Sequence, residues 1–302
     1  MRCSFEPLAK GRRPLAANGL AAIQRAARLL LVLCFGTALI SCTPKPPPLP
    51  ADVEVIRNVE YGTGGGQTLR MHLLRPRALP AEPLPVLVFV GGMSDYSLPS
   101  LARLVQRGYV CAAIEFRIGD QAPFPAPLED CKCAVRFLRA KAPELCLNPD
   151  RIGICGFSAG GHLAALVGTT GGIKELEGQG GWPDYSSRVQ AVVDWFGLSA
   201  YLRMVPDADF VKYVTPDDPP FLIMHGDRDP VVPIEVSERL HTALNQAGVE
   251  TIFKVVPGAG HGGPAFSRPE YTNILDIFLD RYLKPHLQPS SPPTPRDESR
   301  RN

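Results

Sequence analysis

The sequence predicts an α/β protein in three layers, with helices on both faces of a mostly parallel sheet. After Pro50, apolar strand-like runs alternate with helical runs, an order typical of parallel sheets. Most of the strand-like runs are apolar throughout, as expected of strands that are covered on both faces. The first two runs alternate in character and are divided by "TGGG", which indicates an antiparallel hairpin at the N-terminal end of the domain.

The elements of the first half follow in order along the chain. The hairpin is predicted over "VEVIRNVEYG" and "QTLRMHLL", and a buried strand over "PVLVFV". A short helix, "LPSLARLVQRG", ends at Gly108 and is followed by the strand "YVCAAIEF". The next run, "PLEDCKCAVRFLRA", is predicted to be helical because it places four side chains on one apolar face: Leu128, Cys131, Val135 and Leu138.

The second half continues the alternation. The strand "RIGIC" leads into a tight turn at Ser158 and the helix "AGGHLAALVG". Three further apolar strands are predicted over "VQAVVDWFG", "PFLIMHG" and "TIFKVV". Between the last two lies an amphipathic helix whose apolar side is formed by Val236, Leu240, Ala243, Leu244 and Ala247. The helix "YTNILDIFLDRYL" closes the domain.

Charge and composition divide the chain into four segments. Six basic residues and one acidic residue precede Cys42 and lead into the mostly apolar run of 13 residues from Leu29 to Ser41. That run is too short to span a bilayer comfortably, so residues 1–41 are predicted to be a secretory signal. A Pro-rich tether over 42–50, a folded domain over 51–286 and a disordered Pro/Ser-rich tail over 287–302 follow. From Cys42 onward there are 26 basic and 29 acidic residues, which argues against nucleic-acid binding.

The signal ends in "LISC", from Leu39 to Cys42. This stretch resembles a bacterial lipobox, and the resemblance implies cleavage before Cys42 and lipid attachment to it. An ordinary signal peptide followed by a coincidental cysteine is the alternative. Thr43, rather than an acidic residue, follows Cys42. We therefore expect an exported protein anchored in the bacterial cell envelope, in the outer membrane or facing the periplasm.

Five cysteines follow Cys42. Cys111 and Cys155 lie in apolar strands and are predicted to be buried thiols. An odd number of cysteines in an oxidising compartment allows at most two bridges. A bridge from Cys146 to Cys131 or Cys133 is left open, and the cysteine spacing matches no metal site.

Ser158 lies in the pattern G-x-S-x-G between a strand and a helix. In this context the pattern indicates a nucleophile elbow, in which a strained turn presents a serine hydroxyl above the sheet. Gly156 and Gly160 leave room for such a turn, and the helix N-terminus favours developing negative charge. A glycine-rich turn with an idle serine is the alternative.

A serine of this kind needs a base and an acid, which follow it in the order Asp or Glu and then His. Asp227 and Asp229 follow one apolar strand, and His261 follows the last strand among four glycines. All three lie at the carboxyl ends of strands, where parallel sheets place their sites. His162 is the rival base, but it lies one turn along the helix and points away from Ser158. His225 is interpreted as structural.

Five stretches together carry a family resemblance: "APFPAPLED", "NPDRIGICGFSAGGHLAAL", "AVVDWFG", "DDPPFLIMHGDRDPVVP" and "GAGHGG". From Val53 to Leu283 the chain resembles the α/β-hydrolase superfamily, and within it the esterase branch of bifunctional feruloyl and acetyl-xylan esterases and hormone-sensitive-lipase-like enzymes. The resemblance implies Ser158 as nucleophile, His261 as base and Asp229 as the acid, with Asp227 as a loop residue. It implies neither a metal nor an organic cofactor.

One stretch departs from the family. Where the family carries H-G-G-G after the third strand, this chain has "GGMS" from Gly91 to Ser94, and the loop is shortened. The resemblance implies an oxyanion hole formed by backbone N–H groups, for which Gly92, Met93 and Ala159 are the candidates. A preserved backbone path and a loop that has swung away both remain open.

The sequence therefore predicts a serine hydrolase that cleaves carboxylic esters through an acyl-enzyme, with acetyl or feruloyl esters of carbohydrate, or other small esters, as substrates. A non-catalytic binding protein and a prolyl-oligopeptidase-like peptidase are the rivals. The segments 171–187 and 198–216 hold a set of large apolar side chains: Trp182, Tyr185, Tyr201, Met204, Phe210 and Tyr213. We expect them either to overhang Ser158 and select the ester or to pack over the sheet. The oligomeric state is left open.

Overall fold

The computed structural model describes residues 46–119, 122–197 and 208–284. An eight-stranded sheet in the order β1-β2-β4-β3-β5-β6-β7-β8 runs through the domain. Its strands are Val53–Gly64 (β1), Gln67–Pro76 (β2), Leu84–Val90 (β3), Val110–Ile114 (β4), Leu147–Phe157 (β5), Ala191–Trp195 (β6), Phe221–Gly226 (β7) and Thr251–Val256 (β8). β2 pairs antiparallel with both β1 and β4, and from β4 to β8 every pairing is parallel. The predicted mostly parallel sheet with an N-terminal hairpin is confirmed.

Six α-helices lie in the described ranges. They are Leu98–Gln106 (α1), Ala126–Ala140 (α2), Ala142–Leu145 (α3), Ala159–Thr169 (α4), Glu235–Gln246 (α5) and Pro269–Leu283 (α6). Each of the long predicted helices is present, and the four predicted side chains on the apolar face of α2 are fully buried. None of the helices in these ranges combines the length and the apolar character that a membrane span requires.

Two hydrophobic clusters separate the faces of the sheet. One cluster joins apolar residues of α2, α4 and α5 to alternate residues of the strands, for example Val88, Val192 and Ile223. The other joins α1 and α6 to the intervening strand residues, for example Leu87 and Val193. Because successive strand residues point to opposite faces, the continuous apolar runs in the sequence are explained by this double coverage.

The carboxyl ends of the parallel strands meet at one edge of the sheet, and the loops there carry the candidate residues. Ser158 follows β5, Asp229 follows β7 and His261 follows β8. Two adjacent turns, after β3 and after β6, complete this edge.

The predicted signal, lipid attachment at Cys42, the first part of the tether and the tail lie outside the described residues. Leu49, within the predicted tether, packs against the second cluster. The five cysteines of the described part are free thiols, so the bridge that the sequence left open does not form there. Cys111 and Cys155 are buried as predicted, and burial raises the pKa of Cys111 to about 12.

Candidate active site

The turn at Ser158 is strained and tightly packed. Ser158 has φ +53° and ψ −120°, a backbone conformation that residues with a side chain rarely adopt. A Cβ atom at Gly160 would lie 1.6 Å from the carbonyl oxygen of Val90, and one at Gly156 would lie 2.4 Å from backbone atoms of Gly160. Only glycines therefore allow helix α4 to approach β3 and β5 closely enough to form this turn.

A chain of hydrogen bonds joins Ser158, His261 and Asp229. Oγ of Ser158 lies 2.9 Å from Nε2 of His261, and Nδ1 of His261 lies 2.7 Å from Oδ2 of Asp229. A carboxylate only accepts hydrogen bonds, so Nδ1 carries the proton and Nε2 is free to accept from the serine hydroxyl. The structure thus brings together the three residues in the arrangement required for nucleophilic catalysis.

The surroundings of Asp229 keep its carboxylate in place. Its side chain is fully buried, and Oδ1 accepts from the amides of Val231 and Val232 at 2.8 and 2.9 Å. Asp227, in contrast, accepts from the amide of Gly258 at 2.6 Å on the exposed side of the loop. Asp227 therefore ties two loops together and has no described contact with His261.

His225 is closer to the site than the sequence indicated. Its Nε2 donates to the carbonyl of Val232 at 3.0 Å and lies 3.3 Å from Oδ2 of Asp229. Its Nδ1 accepts from the hydroxyl of Ser237 at 2.7 Å. Burial lowers the pKa of His225, so a neutral imidazole faces the carboxylate of Asp229. In the sequence, His225 stands directly before "GDRD". That position is compatible both with a contact to Asp229 and with ordinary packing.

Three backbone amides near this turn are the candidate donors to an oxyanion. Ala159 is the first residue of α4, and its amide has no acceptor within the helix. Among the described residues, the amides of Gly92, Met93 and Ala159 donate no hydrogen bond. Gly92 has φ +79°, so the chain turns directly after β3. These amides remain available to a ligand, although their direction relative to Ser158 stays a prediction.

The ring of Phe89 explains why glycine occupies position 91, at the start of the loop that differs from the family pattern. A Cβ atom at Gly91 would lie 2.2 Å from the ring of Phe89. Phe89 in turn packs edge-on against Phe157, with ring centroids 5.4 Å apart. The phenyl ring thus fills the space into which a side chain at Gly91 would project, so a histidine there requires the ring of Phe89 to move.

A small apolar cavity opens beside Ala159. Its volume is about 40 Å³, and its lining includes Phe116, Phe124, Pro127, Ala159, Leu163 and Leu166. A cavity needs about 10–15 Å³ to admit one water molecule. This cavity therefore accommodates a group of two or three heavy atoms.

The two aromatic-rich segments differ in their positions. Trp182 packs edge-on against Phe137 of α2, and its Nε1 donates to the carbonyl of Tyr61 at 2.8 Å. Trp182 therefore packs on α2 and β1 and does not overhang Ser158. In the other segment, residues 198–207 lie outside the described residues, whereas Phe210 is buried and its ring centroid lies 5.2 Å from that of His162. His162 itself is buried in α4 and has no described contact with Ser158 Oγ.

Asp194 is the residue that sequence reasoning missed. It lies in β6 beside Gly156, its partner in β5, and only 1% of its surface is exposed. Burial raises the pKa of its carboxyl group to about 7, with the amide of Gly197 acting weakly in the opposite direction. The sequence feature that could have identified it is a single acidic residue in an otherwise apolar strand. No group of three or more His, Cys, Asp or Glu side chains in the described ranges is arranged to hold a metal ion.

Comparisons with known proteins give two family matches. Residues 90–209 match the family described as BD-FAE, and residues 193–286 match the prolyl oligopeptidase family. Esterase LipC of Mycobacterium tuberculosis is 30% identical over 242 residues, which are 68% of this chain and 59% of that protein. The chain spans about half to three fifths of the length of the curated relatives that it matches first.

Solved structures show the same fold. A truncated carbohydrate esterase from gut microbiota has a TM-score of 0.70 and 28% identity, covering 78% of this chain and 99% of its own. An acetyl ester-xyloside bifunctional hydrolase from Caldicellulosiruptor lactoaceticus has a TM-score of 0.62 and 25% identity, covering 70% of this chain and 88% of its own. These findings confirm the α/β-hydrolase fold and the resemblance to its esterases that the sequence motifs indicate.

Proposed function

We propose that this chain, which is an α/β-hydrolase, cleaves carboxylic esters through an acyl-enzyme formed on Ser158. The observation that carries the proposal is the unbroken chain of hydrogen bonds from Ser158 through His261 to the buried Asp229. The esterases among its relatives support the same reaction. Those relatives extend beyond the matched length, so the activity of the whole protein is part of the proposal.

The reaction follows from the protonation states at the site. Ser158 Oγ attacks the acyl carbonyl while Nε2 of His261 takes its proton, and the resulting imidazolium is stabilised by the buried carboxylate of Asp229. Nε2 then protonates the leaving alcohol, and water, activated in the same way, releases the acid. The amides of Ala159, Gly92 and Met93 are the proposed donors to the tetrahedral oxyanion.

The cavity beside Ala159 favours a short acyl group. A space of about 40 Å³ holds the methyl group of an acetyl ester but not the aromatic ring of a feruloyl group. The acetyl ester-xyloside hydrolase among the solved structures supports the same choice. Of the two acyl groups that the sequence allowed, we therefore favour acetyl, with a carbohydrate or another small alcohol as leaving group.

The peptidase alternative rests on the match of residues 193–286 to the prolyl oligopeptidase family. That segment includes Asp229 and His261, which esterases and peptidases of this fold share. The residue after the nucleophile is Ala159, whereas the peptidases usually have an aromatic residue there. The esterase is therefore the better supported of the two.

We also propose that the protein is exported and lipid-anchored through Cys42 in the bacterial cell envelope. The basic flank, the short apolar run and "LISC" support this proposal. Its experiment is given with the predictions below.

The substrate proposal is tested with p-nitrophenyl acetate, p-nitrophenyl hexanoate, methyl ferulate and a glycyl-prolyl anilide. We expect kcat/KM for the acetate to exceed that for the hexanoate by roughly tenfold or more, because added methylenes have no room in the cavity. Ser158→Ala should abolish every activity. Leu163→Ala enlarges the cavity and should shift the preference towards hexanoate.

Three results would contradict the substrate proposal. Faster cleavage of the anilide than of the esters would favour the peptidase. Preference for methyl ferulate would mean that the cavity does not hold the acyl group. Absence of turnover with all four substrates in the folded wild-type protein would favour a non-catalytic binding protein.

A further inference from the structure

Asp194 is a buried acid that has no partner of opposite charge among the residues that the structure describes. Its carboxyl group lies between helix α4 and the turn after β6, where Cβ atoms at Gly161 and Gly197 would come within 2.3 and 2.7 Å of its Oδ1. No cation contributes to its pKa, which burial and the amide of Gly197 determine. An ionised carboxylate in such a place is unfavourable, because the amide of Gly197 replaces only part of its lost hydration.

Two backbone carbonyl oxygens and Oδ1 lie around the same point beside Gly161. The point where a Gly161 Cβ would lie is 2.3 Å from Oδ1 of Asp194 and 3.0 Å from each of the carbonyl oxygens of Gly156 and Trp195. Oδ1 itself is buried and has no hydrogen-bond partner in the described part of the chain. When Asp194 is ionised, all three oxygens can only accept; each carbonyl oxygen has two lone pairs, so a proton on Asp194 supplies a donor to this group.

This cluster of oxygens is connected directly to the nucleophile. The carbonyl of Trp195 accepts from the backbone amide of Ser158 at 2.9 Å. Gly156 and Gly161 flank Ser158 on either side of the turn, and a Cβ at Gly197 would lie 2.9 Å from the amide nitrogen of His162 in α4. Asp194 is therefore wedged between the elements that hold the strained turn.

We propose that Asp194 is a positioning residue for Ser158, whose neutral carboxyl group donates its proton to this carbonyl cluster and so holds the turn in place. The inference rests on the proposed esterase function for its effect on rate. It goes beyond that function because it assigns a role to a residue outside the three that perform the reaction.

The pH dependence of stability follows from the environment of Asp194. Among the described residues, the titratable side chains on its own face of the sheet are His162 on α4 and His225 on β7, whereas Cys155 on the paired strand β5 lies on the opposite face. Its pKa of about 7 in the folded state lies above the ordinary aspartate value of 3.8, so the folded protein binds the proton more tightly than the unfolded chain. The stabilisation is present at low pH and is lost as the pH rises from about 4 to about 7.

The test compares Asp194→Asn with Asp194→Ala and wild type. The asparagine amide keeps the shape, donates to the carbonyl cluster and cannot ionise, whereas alanine removes the contact. Val192→Ala is the matched control, because Val192 is fully buried on the same face of β6 two residues earlier. Each variant is examined by thermal unfolding from pH 4.5 to 8.5 and by kcat and KM for p-nitrophenyl acetate.

We compare the melting temperature of Asp194→Asn with that of wild type at each pH. As the pH is raised from 4.5 to 8.5, this difference should shift in favour of the variant by roughly 5 °C or more. The deficit of Val192→Ala should not change with pH. Asp194→Asn should keep most of kcat, and Asp194→Ala should lose roughly tenfold to a hundredfold in kcat with KM little changed, because the serine is displaced rather than the substrate.

Two results would overturn the inference. A constant difference in melting temperature between Asp194→Asn and wild type would show that Asp194 does not hold a proton in the folded state. Loss of kcat in Asp194→Asn equal to that in Asp194→Ala would show that the neutral amide cannot replace it. If wild type lacks esterase activity, the proposed function fails on its own, and the thermal comparison still decides the protonation of Asp194.

Discussion

Replacing Asp229 by asparagine tests which acid orients His261, and Asp227 supplies a matched control two residues away. In Asp229→Asn the side-chain oxygen is required at the Oδ1 position, where two backbone amides donate to it. The new NH2 group then occupies the Oδ2 position and faces Nδ1 of His261, 2.7 Å away in the wild type. Two donors cannot face each other, so Nδ1 must lose its proton and accept instead.

That change disables the base. With Nδ1 unprotonated, neutral His261 carries its proton on Nε2, which then faces Ser158 as a donor and cannot take the hydroxyl proton. A base held in the wrong tautomer lowers kcat by about 10⁴ in serine hydrolases, which corresponds to about 5 kcal/mol of activation free energy. In Asp227→Asn the amide oxygen can still accept from Gly258, so we expect a loss of less than about fivefold.

The assay is the kcat of p-nitrophenyl acetate hydrolysis for both variants, with circular dichroism as the check on folding. The expected result is a ratio between the two losses of about 10³ or more. Equal losses in the two variants, or a larger loss in Asp227→Asn, would refute the assignment of Asp229 as the orienting acid.

Three further predictions concern the turn, the oxyanion loop and the anchor. Gly160→Ala forces a Cβ to within 1.6 Å of the Val90 carbonyl, so turnover and reaction of Ser158 with an organophosphate should both be lost; retained turnover would contradict the tight packing. Met93→Pro should abolish turnover, since it removes one oxyanion donor, which alone costs about 3 kcal/mol or roughly a hundredfold in rate, and also restricts the backbone of the loop. Met93→Gly should change turnover little, and a fully active proline variant would exclude this amide. Cys42→Ser should abolish incorporation of radioactive fatty acid in a bacterial host, and an unlabelled wild type would rule out the anchor.

Much of the fold could be predicted because it follows from local pattern. Double coverage makes the strands continuously apolar, and α2 shows its buried face as a periodic row that includes Leu128 and Val135. Ser158, Asp229 and His261 could be selected because each follows a strand, and parallel strands bring such positions to one edge. The choice between Asp227 and Asp229 came from the family resemblance, and the geometry now gives it a physical reason.

The remainder depends on contacts between residues that are distant in sequence. The space at Gly91 is filled by Phe89, which in turn packs on Phe157, and no periodicity predicts that ring packing. Asp194 is a single polar residue in a buried strand, and its surroundings depend on the close approach of Gly161 and Gly197. Trp182 could be assigned to α2 only when its contacts with Phe137 and Tyr61 were known.

The central claim is that Ser158 is a nucleophile activated by His261. Intact-protein mass spectrometry after incubation with paraoxon, followed by peptide mapping, tests it most directly, because an organophosphate reacts with an activated serine whatever the natural ester is. The account predicts one diethylphosphoryl group per chain on the peptide that contains Ser158, and none in Ser158→Ala or His261→Ala. An unmodified wild-type protein, or an adduct that persists in Ser158→Ala, would contradict it.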